Sequence, residues 1–182
     1  MRTILFVIFY GLFAQVLIAQ QVINTSWETV EEFKAEEPII IKNIIWLENN
    51  PIATDQNDTK ALSENIIKWL SNTPYLSVTL DGVFLESLLS NKRFKYAEKF
   101  KVTYLFGKSL YIIQHQNNLD EVKASARGIE GMVTVYKELK QVDSSLTNGQ
   151  LEKYTRLSSK GKLEKYVVNR LLQSSFTISY KE

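Results

Sequence analysis

Cysteine is absent from the 182-residue chain. A disulfide framework, a thiol nucleophile and a thiolate metal site are therefore excluded, and stability must come from a packed core. Histidine occurs once, at His115, which rules out a His-based triad or a His-rich metal centre. No Gly-rich phosphate loop, nucleophile elbow or metal-binding His-Glu motif is present. Charge of one sign is also lacking: 22 Lys and Arg stand against 20 Asp and Glu, a net +2, so the chain has no strong field with which to gather nucleic acid.

What is present begins with Met1-Arg2-Thr3, an apolar run over residues 4–18 and then Ala19-Gln20-Gln21. A basic start, an apolar stretch and a small residue in that order predict a secretory signal peptide over residues 1–19, cut after Ala19. The run is shorter than the roughly 20 apolar residues of a stable anchor, and no cysteine follows it for lipid attachment. No second apolar stretch of spanning length occurs, so no stable membrane anchor is expected after leader removal. The expected destination is the periplasm or the extracellular space. Residues 20–182 are then read as a single domain with one core.

The patterning of that domain is helical. Thr25 and Glu28 have capping-box spacing, Trp27, Val30 and Phe33 follow at helical intervals, and Pro38 is expected to stop or bend this first helix. Residues 39–47 suit either strand or helix and are assigned to helix, because a lone strand would leave its backbone groups unpaired. A polar loop over 48–59 precedes a helix capped by Asp58 or Thr59, with Leu62, Ile66, Trp69 and Leu70 on one face. Residues 75–80 alternate like a strand but have no evident partner and read as an extended connector, with Asp81 capping the next helix.

Two long helices follow, over about 94–115 and 119–142, each carrying glycine inside it: Gly107 in the first, Gly128 and Gly131 in the second. Glycine in a helix interior costs about 1 kcal/mol relative to alanine, so a compensating close approach is expected. We predict an antiparallel hairpin whose backbones meet near these residues. Shorter amphipathic pieces over 150–157 and 162–172 close the core, and the strand-like tail 174–182 is left unassigned. The fold class predicted is all-α: a single irregular helical bundle of about six to eight helices.

Candidate chemistry is sparse. His115 could serve as a lone general base near an acid, against the plainer reading of a helix-ending residue that favours the negative dipole end. Residues 55–59 carry oxygen side chains resembling part of a calcium loop but lack its glycine and terminal glutamate, so helix capping explains them better. Glu48, Glu86, Glu98 and Glu130 flank apolar faces and could pair for glycoside hydrolysis, although every amphipathic helix has such acids. Trp46, Trp69 and Phe106 could line an apolar ligand pocket. Lys92-Arg93-Phe94-Lys95-Tyr96 with Lys99 and Lys101 could meet an acidic partner or an anionic envelope surface, against the plainer reading of a solvated helix face.

No catalytic residue, cofactor or metal is assigned. The expectation is an exported helical protein that binds another protein through Lys92, Arg93, Lys95, Lys99 and Lys101. Small-ligand binding and carboxylate-dependent hydrolysis are the alternatives.

Overall fold

The computed structural model describes residues 26–52 and 56–179. The predicted leader, residues 1–19, lies outside them. The described chain is all helical, as the patterning predicts: α1 Val30–Asn49, α2 Gln56–Asn72, α3 Gly82–Leu89, α4 Ala97–Gln114, α5 Glu121–Val142, α6 Gly149–Ser159 and α7 Leu163–Ser179. Among the described residues no helix is long and apolar enough to cross a membrane.

The start of α1 corrects the sequence expectation. The capping box is formed by Thr29 and Glu32, not by Thr25, which lies outside the described residues, and Glu28. Thr29 Oγ1 accepts from the Glu32 amide at 3.2 Å, while Glu32 Oε2 accepts from the Thr29 and Glu28 amides at 3.2 and 2.6 Å. Those two amides hold the Glu32 carboxyl below the usual glutamate range.

Pro38 neither stops α1 nor divides it. An interior proline removes one ladder bond and costs about 3 kcal/mol. Pro38 and Lys34, whose carbonyl loses its donor, both face solvent, where water can serve that carbonyl. Phe33, Ile40 and Ile44 are buried, and at about 1.5–3 kcal/mol each their burial outweighs the proline.

Asp58 and Thr59 fall within the first turn of α2, not before it. Residues 75–80 form an extended connector, and α4 begins at Ala97, three residues later than the pattern suggests. The tail left unassigned continues α7 to Ser179. Asp120 caps α5, accepting from the Val122 and Lys123 amides, and Asn148 caps α6 in the same manner. Gly161, at φ 61°, turns the chain out of α6 while the Lys162 amide reaches back to the Leu157 carbonyl at 2.9 Å.

Lys108 faces Glu121, Gly107 faces Gly128 and Phe100 faces Tyr136, so α4 and α5 run antiparallel as predicted. A Cβ on Gly107 would lie 2.8 Å from the Arg127 carbonyl oxygen and 3.0 Å from Gly128 Cα. One on Gly128 would lie 2.8 Å from the Tyr104 ring. The helical cost of both glycines is thus offset by a backbone approach that no larger residue permits.

Helix α4 has a core on each side. Its Phe106, Leu110 and Ile113 join Phe33, Ile40 and Ile44 of α1 and Leu62, Ile66 and Trp69 of α2. Its Phe100 and Tyr104 join a larger cluster from α3, α5, α6 and α7 that contains Phe84, Leu88, Met132, Tyr136, Tyr154 and Val167.

Candidate functional site

The densest polar cluster sits where the connector enters α3. Asp81 Oδ2 accepts from Tyr104 Oη at 2.6 Å, Lys108 Nζ at 2.8 Å and Ser125 Oγ at 2.9 Å. Lys108 Nζ also lies 3.1 Å from Glu121 Oε2. Asp81 holds the N-cap position of α3, yet its side chain makes no cap bond, because these three donors take it inward. Burial opposes ionisation of Asp81, but the hydrogen bonds from Lys108, Tyr104 and Ser125 and the charge of Lys108 outweigh it and hold the carboxyl below the usual aspartate value. Burial and the same carboxylate push the Tyr104 phenol far up.

Serine beside lysine can in principle supply a nucleophile and a base. Here Tyr104, Lys108 and Ser125 are all but completely buried and all three donate to the same Asp81 oxygen, with Lys108 also engaged by Glu121. The cluster therefore satisfies polar groups inside the bundle and ties α3, α4 and α5 together.

An ion pair of half-buried Arg127 and buried Glu48 joins α1 to α5. Arg127 Nη1 and Nη2 donate to Glu48 Oε1 and Oε2 at 3.0 and 2.6 Å, a bidentate fork. Gly131 underlies this pair, since a Cβ there would collide with Glu48 Oε1, and a Cβ on Gly107 would reach within 3.2 Å of Arg127 Nη1. Three helical glycines thus accommodate one helix crossing and the ion pair inside it.

The four acids considered for hydrolysis are dispersed. Glu48 is spent on Arg127, Glu98 pairs with Lys101 at 2.5 Å, and Glu86 and Glu130 are exposed on α3 and α5. His115 is exposed at the end of α4, its ring stacked 4.0 Å from that of Tyr111 with Nδ1 2.9 Å from the Tyr111 carbonyl oxygen. Trp69 and Phe106 are packed in the α1/α2/α4 core, with Trp46 at its margin. Residues 53–55 are outside the described residues, and 56–59 are helical, so nothing of a calcium loop is seen in them. Among the described residues no three His, Asp or Glu side chains converge as a metal-binding group.

The basic strip divides in two. Lys95 Nζ pairs with Asp143 at 3.1 Å, Lys99 Nζ donates to the Pro51 carbonyl at 2.7 Å, and Lys101 takes Glu98. Lys92 and Arg93 lie exposed on the turn between α3 and α4 and form no ion pair among the described residues.

Comparison with family models, characterised proteins and solved structures finds no match to this chain. Function must be argued from the surface itself. Grooves among the described residues include one of about 380 Å³ between α3, α6 and α7, one of about 340 Å³ between α5 and α6, and one of about 500 Å³ where the start of α1 meets the end of α2. Sequence reasoning missed the Asp81 cluster and all three grooves. One signal for the cluster was available: Lys108 stands on the apolar face of α4, four residues after Tyr104, where a lysine needs a buried partner.

Proposed function

We propose that the protein is an exported, non-enzymatic helical module that binds an acidic protein partner along the edge carrying Lys92 and Arg93. The observation behind this reading is the division of the basic strip. Lys95, Lys99 and Lys101 are engaged within the molecule, whereas Lys92 and Arg93 stand free and adjacent on an exposed turn. The ionisable groups drawn into the bundle, Asp81 with buried Lys108 and buried Glu48 with Arg127, are used to hold helices together. Rim charges of this kind steer association and act mainly on its rate, so binding should weaken as salt rises.

The test is affinity purification of the carboxy-terminally tagged chain from the fractionated native host, with mass spectrometry of its amino terminus. A mature start near Gln20 and a stoichiometric partner, lost from a Lys92→Glu, Arg93→Glu double variant of unchanged thermal stability, is the expected result. A partner held equally by the double variant would overturn the assigned edge, and an intact Met1 in the membrane fraction would overturn export. Small-ligand binding is a second reading, favoured by the polar groove between α3, α6 and α7.

A further inference from the structure

The groove between α3, α6 and α7 contains two cations that the fold leaves without a carboxylate. Arg170 of α7 is partly buried; its Nη2 reaches the Val83 carbonyl and its Nη1 reaches Gln173 Oε1, both at a long 3.4 Å. Its Nε is buried and has no hydrogen-bond partner among the described residues. A guanidinium has five donors, and one held by two weak contacts has an unmet demand for an acceptor. Across the groove Lys153 of α6 lies over the Tyr166 ring, 4.4 Å from its centroid, and forms no ion pair among the described residues. Gln150 Nε2 reaches Tyr166 Oη at 3.4 Å, adding an amide to the same wall. Glu86 lines the opposite wall and is likewise unpaired among the described residues, so these side chains sum to one positive charge.

We infer that this groove binds a carboxylate group. Arg170 offers its Nη1 and Nη2 groups, each held only by a long contact, Lys153 adds a point charge, and Val83 and Tyr166 line the walls beside them. A volume of about 380 Å³ admits a small dicarboxylic acid or one acidic side chain of a partner. Glu86 opposes the ligand electrostatically and sets its affinity low. Lys92 and Arg93 do not line this groove, so the double variant at that edge, which tests the partner reading, removes none of the groove's side chains.

The experiment is a titration of the purified protein followed by the side-chain amide signals of Gln150 in nitrogen–proton NMR spectra. Sodium succinate and an acetylated, amidated tri-glutamate peptide are the probes, and sodium chloride at equal ionic strength is the control. A saturable shift with either carboxylate and none with chloride is expected. Succinate alone would identify a free organic acid, and tighter binding of the peptide would identify acidic side chains of a partner.

Arg170→Gln should weaken binding by about tenfold or more, the usual loss for a charge-assisted hydrogen bond. Lys153→Gln should weaken it less, Glu86→Gln should tighten it, and Lys165→Gln, exposed on the same helix, should leave it unchanged. Should Arg170→Gln fail to fold, the opposite signs at Lys153 and Glu86 decide. Shifts that do not saturate, that chloride reproduces, or that survive in folded Arg170→Gln would overturn the inference, as would weaker binding in Glu86→Gln.

Discussion

The two cores flanking α4 are built differently. On the α1/α2 side the interior is mainly isoleucine, leucine, phenylalanine and tryptophan, with Asn43 of α1 also buried; Trp69 Nε1 donates to the Phe33 carbonyl at 3.3 Å inside it, and Tyr75 and Gln116 reach Glu37 at 2.9 and 2.7 Å at its margin. Burial and the neighbouring Glu37 push the Tyr75 phenol up to about 12. On the α3/α5/α6/α7 side tyrosines enter the core and each hydroxyl is placed: Tyr104 on Asp81, Tyr136 on the Leu146 carbonyl, Tyr154 on the Phe84 carbonyl. The first core gains its stability from area removed from water, which is indifferent to direction. The second adds directional bonds that fix which helix meets which.

That contrast can be broken at either end. Trp69→Ala should cost about 3–5 kcal/mol in urea unfolding through the cavity it leaves, and a fully volume-conserving apolar exchange nearby should cost much less. Arg127→Ala should cost a similar 3–5 kcal/mol for a different reason, because Glu48 would remain buried without its cation. Adding Glu48→Gln to it should recover part of that loss, whereas no second change is expected to rescue Trp69→Ala in this manner. Failure of Glu48→Gln to recover any of the loss would erase the distinction between area and direction.

A smaller effect is expected at the seam between the cores. Gly107→Ala adds one methyl group into a backbone contact of 2.8 Å and should destabilise by about 1–3 kcal/mol despite the better helix propensity of alanine. Unchanged or raised stability would show that α4 and α5 can separate freely, contrary to the close packing described. The smallest effect is acid-dependent. The Asp81 carboxyl is held below its unfolded value near 3.8, so its contribution is present above that pH and is lost as pH falls through the lower, folded value. The stability difference between the native chain and Asp81→Asn should therefore narrow on acidification below about pH 4, measured by urea unfolding at a series of pH values.

Much of the fold is legible in local pattern. The stripes Leu62, Ile66, Trp69 and Ile129, Met132, Val133, Tyr136, Leu139 are buried as their spacing requires. Gly107 and Gly128 mark the hairpin because a glycine kept inside a helix asks for a reason. What failed is of two kinds. Thr25/Glu28 and Thr29/Glu32 share the same capping spacing, so local text alone is degenerate between them. Asp81 looks like a cap because aspartate before an apolar run usually is one, but its partners lie 23, 27 and 44 residues away, and no periodicity connects them. The groove at Arg170 was illegible for the same reason: Glu86, Lys153 and Arg170 become neighbours only after three helices have packed.

The Asp81 knot also bears on how the molecule comes apart. Lys108 is buried by the α4–α5 hairpin, yet its nearest acceptor is supplied by the connector ahead of α3. A hairpin without that connector would enclose an ammonium group with Glu121 alone, a carboxylate that is itself more than half exposed. Eight-residue α3, too short to persist by itself, is thus made a condition of the α4–α5 hairpin, and the two should open as one cooperative unit.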